Sequence, residues 1–315
     1  MTEKNTKVKA TSTGASFGKI MLASAVGVIL LWVVLSLLSI SIFSSIASQA
    51  SKKDEIPEKS VLHIKLNREV VEQQQDIFDV NMDFLGGFVN PQSLGLNKIL
   101  AALKNAKEDE NIKGIYLEVS APLVNLPELK EIKDAIVDFK SSGKFVIAHS
   151  DFYTAGAYYI ASIADKVYIT PTGLLTWTGF SLQVMYYKGL LEKLDVQPEI
   201  VRHGKFKSAV EPYLLDSISD ENRKQLQAYI DNVWEHYVKE IADARNLDIA
   251  SLNNYADKLM INSSDKAVTL GFFDQQKFRN DVFDEIRELI DLDDDKKINL
   301  ITLPKYIEKT DEVSL

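Results

Sequence analysis

Hydrophobic and polar positions follow two different periods along the chain from residue 61 onward. Short runs rich in β-branched and aromatic residues are separated by longer stretches in which apolar residues recur every three or four positions. The short runs predict buried strands, and the longer stretches predict amphipathic helices. Because strands and helices follow each other in turn, the sequence predicts an α/β domain built from repeated strand–helix units.

The ends of the apolar runs predict where the individual elements begin and end. Gly143 ends the helix that begins near Leu126, and Ser219 is placed to cap the longest helix. The predicted strands cover residues 61–66, 115–119, 145–148, 167–170 and 199–202. The predicted helices cover residues 94–107, 126–139, 155–164, 184–194 and 220–244.

A continuous hydrophobic segment precedes this α/β pattern. No charged residue occurs between Lys19 and Lys52, and residues 20–46 are almost entirely apolar or small. A membrane-spanning helix needs roughly 20 apolar residues, whereas the apolar region of a cleaved signal peptide has about 7 to 15. The length therefore predicts a retained transmembrane anchor at 20–46, although the small residues at 47–50 leave cleavage by a signal peptidase open.

Charges around the hydrophobic segment predict its orientation. Residues 1–19 carry four lysines and one glutamate, so the positive-inside bias predicts a cytoplasmic tail. Everything after the anchor then lies on the outer side of the membrane. We interpret residues 47–60 as a polar linker, 61–275 as the α/β domain and 276–315 as an acidic tail.

Composition removes several classes of function. The net charge of −9 gives the chain little of the positive field that nucleic-acid binding requires. The sequence contains no cysteine, so any nucleophile must be an oxygen or an amine. The histidines show no H-E-x-x-H spacing, and Asp291, Asp293 and Asp295 lack the glycine and glutamate that complete a calcium loop. We expect no metal and no other cofactor.

Four stretches carry a more specific signal. They read AKEDENIKGI at 106–115, YYIASIADKVY at 158–168, GKFKSAVEP at 204–212 and AVTLGFFD at 267–274. Together they resemble the S49 peptidase family, to which signal peptide peptidases belong. The resemblance implies a crotonase- and Clp-protease-like spiral of strand–helix units after one transmembrane helix. It also implies a Ser-Lys dyad that hydrolyses signal-peptide remnants at the bacterial inner membrane, with the domain on the extracytoplasmic side.

The resemblance implies a catalytic role for Lys207. In double-length members of the family the general-base lysine lies in the amino-terminal repeat, in a motif matched here by residues 204–212. A lysine with the reference pKa of about 10.4 is charged at neutral pH, so a lysine base has to be desolvated before it accepts a proton. Lys205, two positions earlier in the same motif, is the rival candidate for the base.

The nucleophile of the short, single-repeat members is missing from this sequence. Ala155 stands where their serine begins a helix, and their oxyanion-binding glycine turn is replaced by Ser120, Ala121, Pro122 and Leu123. The pattern resembles the amino-terminal repeat of the double-length form. We therefore expect that the chain is a fragment of a longer protein, in which a second repeat supplies the serine. Without that second repeat, we expect these 315 residues to be inactive.

Two functional classes remain open. The first is one half of a serine-type endopeptidase whose partners are peptide substrates, the lipid bilayer, a serine-bearing second repeat and further copies of the chain. The second is a catalytically inactive S49-like module for binding or oligomerisation at the membrane, which Ala155 also permits.

Two residues beside Lys207 have alternative interpretations. Glu211 either orients the base or is a turn residue ahead of Pro212, and the turn is favoured because proline restricts the residue before it. His203 either contacts substrate or has a structural role, and the structural role is favoured because no partner ligand is visible in the sequence.

Overall fold

The computed structural model describes residues 56–73, 93–201, 203–293 and 296–311, together with 30–37 and positions 19, 21, 22, 24, 27 and 28. The chain divides into two compact units, Met1–Glu55 and Ile56–Leu315. The described positions of the first unit are helical. Among them, no helix combines the length and the apolar character needed to cross a bilayer. The rest of the predicted anchor, most of the predicted tail and residues 47–55 lie outside the described residues.

Parallel strands form the centre of the second unit. The strands are β1 Ser60–Ile64, β2 Val70–Val71, β3 Leu94–Gly95, β4 Ile112–Leu117, β5 Phe145–Tyr153, β6 Lys166–Leu175, β7 Gln275–Gln276 and β8 Asn299–Thr302. Six of them form one parallel sheet in the order β7-β6-β5-β4-β1-β8. Strands β2 and β3 form a separate parallel pair.

Helices connect these strands and cover the sheet. They are α1 Leu96–Glu108, α2 Leu126–Lys140, α3 Ala155–Ala161, α4 Lys188–Lys193, α5 Glu211–Leu214, α6 Asp220–Arg245, α7 Ile249–Asp257, α8 Ser264–Thr269, α9 Arg279–Leu289 and α10 Leu303–Asp311. The predicted cap of the longest helix is confirmed, because the Ser219 hydroxyl accepts a hydrogen bond from the Asn222 amide at 3.1 Å.

Alternate residues of β1, β4, β5 and β6 supply two hydrophobic faces, as the pleat of a sheet requires. Leu62 and Ile115 belong to the main core, to which helices α1, α2, α3 and α6 contribute buried side chains. Val61 and Tyr116 belong to a smaller core on the other face, which Val282 of α9 helps to fill. The predicted α/β class is thereby confirmed, and the arrangement fits the crotonase-like fold that the resemblance implies.

The predicted elements differ from the structure mainly where pairing or packing decides the outcome. Strands β5 and β6 run beyond the predicted ranges because they continue to pair with each other up to Tyr153 and Leu175. Helix α4 is shorter than the predicted 184–194. The predicted strand at 199–202 is wrong at residues 199–201, which form no strand, and Arg202 lies outside the described residues. An apolar run becomes a strand only where a neighbour takes up its backbone hydrogen bonds.

The segment interpreted as an acidic tail, 276–315, contains packed structure as far as residue 311. Val282 and Ile286 of α9 are fully buried, and Ile301 of β8 and Tyr306 of α10 are buried in the main core. The acidic interpretation rested on the aspartates after α9, two of which, at positions 294 and 295, lie outside the described residues. The interpretation as a tail did not take into account the apolar residues that recur at helical spacing on either side of these aspartates.

Residues 181–218, here called the arm, join the end of β6 to the start of α6. Two contacts close the base of the arm: the Tyr187 amide donates to the Pro212 carbonyl at 2.7 Å, and the rings of Tyr187 and Tyr213 stack. Large apolar side chains of the arm are exposed: Leu182, Met185, Leu190, Leu194, Val196, Val201 and Phe206. In the first half of α6, which follows the arm, Leu226 and Ile230 are only half-buried. The arm and the adjoining part of α6 therefore present an apolar surface that the described residues leave uncovered.

Candidate active site

The candidate base, Lys207, lies on a loop of the arm. Residues 203–210 form a loop with turns at 205–206 and 209–210, in which Gly204 has φ of +102°, a conformation that favours glycine. Both Lys205 and Lys207 are exposed. Within the described part of the chain, the Lys207 amine has no hydrogen bond or ion pair. A lysine base needs its amine shielded from water, and the described residues of this chain do not shield the Lys207 amine.

An open cavity of about 500 Å³ lies beside Lys207, a volume within the usual range of ligand sites. It is lined by Val201, His203, Phe206, Lys207, Ser208, Ala209, Val210 and Gln225. All of these residues belong to the arm except Gln225, which comes from the first turns of α6. His203 is exposed in this cavity, so it lies beside the candidate base as the sequence order indicates. The cavity does not include Ala155.

Ala155 begins helix α3, at the position where the short members of the resembled family carry serine. Thr154 caps this helix: its hydroxyl accepts from the Ala157 amide at 3.2 Å and donates to the Ser120 carbonyl at 3.2 Å. Pro122 lies close to Gly156, the next residue of the helix. The structure therefore places a methyl group, and no nucleophile, at this helix start. Ala155 does not line the cavity that contains Lys207.

Sequence reasoning missed a pair of hydroxyls next to Ala155. The side-chain oxygens of Ser120 and Ser150 lie 2.6 Å apart, and Ser150 is buried in β5 where its pairing with β6 shifts register. The Ser150 hydroxyl also lies 3.0 Å from the Phe152 carbonyl oxygen. A serine nucleophile needs a base within hydrogen-bond reach, and these hydroxyls contact another hydroxyl and a backbone carbonyl. This pair is therefore not an activated nucleophile.

Sequence reasoning also missed the burial of Glu211. This residue begins α5, four positions after Lys207, and its side chain is buried although the surrounding arm is largely exposed. Its carboxylate accepts hydrogen bonds from Ser219 and Asn222 at the start of α6. The sequence carries no signal for this contact, because both donors lie on another element, 8 and 11 residues further along the chain.

A second group of ionisable side chains lies at the carboxyl ends of β1 and β4, far from the arm in the sequence. The His63 ring donates to the Glu118 carboxylate at 2.7 Å, and Lys65 and Arg279 each approach the same carboxylate to 3.3 Å. Burial opposes ionisation of Glu118, but the hydrogen bond from His63 and the charges of Arg279 and Lys65 outweigh it and lower the pKa to about 2.

Neighbouring His149 is buried, and it lies 3.2 Å from the Tyr116 hydroxyl. Burial lowers the pKa of the His149 ring, which favours the neutral form. Across the residues that the structure describes, no group of three or more histidine, aspartate or glutamate side chains is placed to hold a metal ion. Glu118 and His149 each have hydrogen-bond partners of their own, which is consistent with a structural role.

Comparison with known proteins gives a consistent result. Residues 138–293 match the model of peptidase family S49. The chain is 33% identical to Protease 4 of Haemophilus influenzae over 231 residues, which are 71% of this chain and 38% of that protein. It is 36% identical to Protease 4 of Salmonella typhi over 157 residues, or 50% of this chain and 25% of that protein.

A more distant relative is a plant protein. The chain is 25% identical to the chloroplastic serine protease SPPA of Arabidopsis thaliana over 247 residues, which are 78% of this chain and 35% of that protein. The chain therefore spans between a quarter and two fifths of the length of these three relatives.

Proposed function

Since this chain belongs to the S49 peptidase family, we propose that it is the lysine-bearing half of a membrane-anchored serine endopeptidase that degrades cleaved signal peptides. Lys207 is the general base in this proposal, and a serine from a second S49 repeat is the nucleophile. In this proposal, the strands and helices are arranged in the spiral of strand–helix units that the family resemblance implies.

One observation carries the proposal: Lys207 lines a cavity on an arm whose apolar side chains are exposed. Soluble monomers rarely expose a large contiguous apolar surface, so a surface of this kind indicates a partner. A second repeat, or a further copy of the chain, that docks on the arm would cover Val201 and Phe206 and exclude water from the Lys207 amine. The same docking step would therefore assemble the dyad and desolvate its base.

The chemistry of Lys207 in the assembled site is proton transfer at Nζ. The neutral amine accepts the serine proton while the serine oxygen attacks the scissile carbonyl carbon, and backbone amides stabilise the resulting oxyanion. The lysine ammonium then donates its proton to the departing peptide amine, leaving an acyl-enzyme. A water molecule loses a proton to the same amine, attacks the ester and releases the second product, and the proton returns to the serine oxygen.

Membrane anchoring belongs to the same proposal. The uncharged stretch at residues 20–46 is long enough to span a bilayer, and the lysines before it favour an amino terminus in the cytoplasm. Residues 30–37, which are helical, expose their large apolar side chains. The peptidase domain would then lie on the extracytoplasmic side of the bacterial inner membrane, where cleaved signal peptides remain in the bilayer.

A second candidate is an inactive S49-like module for binding or oligomerisation. Ala155 and the Pro122 turn favour it, because the start of α3 carries no serine where the short members of the family have theirs. The apolar arm would then serve assembly alone.

Labelling with a fluorophosphonate, which reacts with activated serines, separates the two candidates. We expect labelling when the chain is produced together with its serine-bearing repeat, and none when residues 1–315 are produced alone. Labelling of the assembled protein should be lost in Lys207→Ala and retained in Lys205→Ala. An assembled, folded protein that takes no label would support the inactive module and overturn the peptidase.

A further inference from the structure

One carboxylate of the arm differs from its surroundings. Glu211 is 1% exposed, whereas Lys205, Phe206 and Lys207 on the preceding loop are exposed. Acidic side chains are rarely buried to this degree unless they are hydrogen-bonded or paired. The burial of Glu211 therefore indicates a specific set of contacts.

Those contacts lie at the first turn of α6. The Ser219 hydroxyl donates to Oε1 of Glu211 at 2.5 Å, and the Asn222 side-chain amide donates to Oε2 at 3.0 Å. The Ser219 backbone amide lies 3.3 Å from Oε2. Ser219 is also the N-cap of α6, so one residue both begins the helix and holds the carboxylate. A negative charge at the amino-terminal end of a 26-residue helix is further favoured by the helix dipole.

A backbone hydrogen bond connects Glu211 to Ser208, the residue that follows Lys207. The Glu211 amide donates to the Ser208 carbonyl at 2.9 Å, and the Leu215 amide donates to the Glu211 carbonyl at 2.9 Å. Because Ser208 follows Lys207 directly, fixing Glu211 also fixes the end of the loop that carries the lysine. The described residues give the lysine amine itself no hydrogen bond. The position of Lys207 therefore depends on its backbone.

An ion pair of the arm among the described residues is much more exposed. Lys188 and Asp216 form an ion pair at 2.8 Å, with the Asp216 side chain 73% exposed. Exposed pairs of this kind contribute little, whereas hydrogen bonds to a buried carboxylate hold their partners firmly. Glu211 is thus the polar contact that most firmly ties the Lys207 loop to the long helix.

We propose that Glu211 is the positioning residue for Lys207: it clamps the lysine-bearing loop to the start of α6 so that the amine faces the incoming serine. This inference rests on the proposed function, because it assigns Glu211 a role in the same reaction. Glu211 does not touch the reacting atoms. It acts through Ser208 and the turn that joins the two residues.

Glu211→Gln tests this role in the assembled protein, with a fluorogenic peptide of apolar signal-peptide sequence as the probe. Glutamine keeps the size of the side chain, but its NH₂ group replaces one of the two accepting oxygens and faces a donor, either the Ser219 hydroxyl or the Asn222 amide, so one half of the clamp is lost. We expect kcat to fall about 10²-fold, as a small displacement of a catalytic group typically causes, with KM nearly unchanged. Glu199→Gln is the matched control, since Glu199 is an exposed glutamate of the same arm.

Two further measurements separate positioning from general destabilisation. Adding Glu211→Gln to Lys207→Ala should not lower the residual rate further, because a positioning residue has no effect once its lysine is gone. Hydrogen exchange should become faster in residues 203–219 of Glu211→Gln while the exchange of the β4 and β5 amides stays unchanged. Should Glu211→Gln fail to fold, Asn222→Ala removes a single donor, and we expect about a tenfold loss of kcat from it.

The possible failures are distinguishable. Unchanged kcat in a folded Glu211→Gln, or in Asn222→Ala, together with loss of activity in Lys207→Ala, would overturn the positioning role and leave Lys207 as the base. A further drop in rate when Glu211→Gln is added to Lys207→Ala would also overturn the positioning role. Full activity of Lys207→Ala would overturn the proposed function, and the role of Glu211 with it.

Discussion

The central sheet and the arm use apolar side chains in opposite ways. In the sheet unit, residues such as Phe139 and Ile132 of α2 are fully buried against neighbouring helices and strands. In the arm, Val201 is fully exposed and Phe206 is 57% exposed. Both regions contain many apolar side chains. In the described residues, the apolar side chains of the sheet and its helices pack mostly against each other, whereas those of the arm are exposed. The contrast separates a packed scaffold from the arm, the surface on which we propose that a partner docks.

The largest expected effect lies in the scaffold. Phe139→Ala removes a fully buried ring from the main core, and we expect it to lower the free energy of unfolding by about 3–5 kcal/mol. Urea denaturation followed by circular dichroism measures this change. A loss below about 1 kcal/mol would show that the main core is much less tightly packed than the structure indicates.

An intermediate effect concerns Glu118, at the carboxyl end of β4. Its pKa in the folded chain is about 2 against an ordinary value of 4.5, so it stabilises the fold above pH 4.5 and loses this contribution as the pH falls toward 2. We expect the stability difference between the native chain and Glu118→Gln to shrink by about 2 kcal/mol between pH 5 and pH 3. Thermal unfolding at a series of pH values measures the difference.

The control for this experiment is Glu110→Gln, which makes the same exchange on an exposed side chain. It shows how far the loss of an exposed carboxylate alone changes stability over the same pH range. A pH-independent difference for Glu118→Gln would mean that His63 and Arg279 do not stabilise the ionised carboxylate.

The smallest expected effect on stability lies in the arm and sharpens the contrast with Phe139. Phe206→Ala exchanges the same residue type, but the ring is 57% exposed, so we expect unfolding to change by less than about 0.5 kcal/mol. The association of the chain with its serine-bearing repeat should weaken about tenfold, which sedimentation measures. Normal association of this variant would argue against the arm as the docking surface.

Much of the scaffold could be predicted from local pattern, because periodicity reports which face of an element is buried. The helical stripe ending at Phe139 and the Ser219 cap are examples. The failures occurred where the outcome depends on partners distant in the sequence. Residues 199–201 have strand-like composition but no strand to pair with among the described residues, and β8 is recognisable only through its pairing with β1.

The candidate site was predictable in a different way. Lys207 was identified through a motif that resembles a family, and no periodicity marks it. The burial of Glu211 could not be predicted, because it follows from donors on α6 that the fold brings to the arm. The Ser120 and Ser150 hydroxyls likewise meet only because β4 and β5 are neighbours in the sheet.

The most direct test of the account compares Lys207→Ala with Lys205→Ala in the protein assembled with its serine-bearing repeat. Both lysines are exposed on the same loop, so the two variants should have similar stability. We expect Lys207→Ala to lower the rate of signal-peptide hydrolysis about 10³-fold, within the range for loss of a general base, and Lys205→Ala to stay within about twofold of the native rate. Equal activity of the two variants would contradict the assignment of Lys207 as the base.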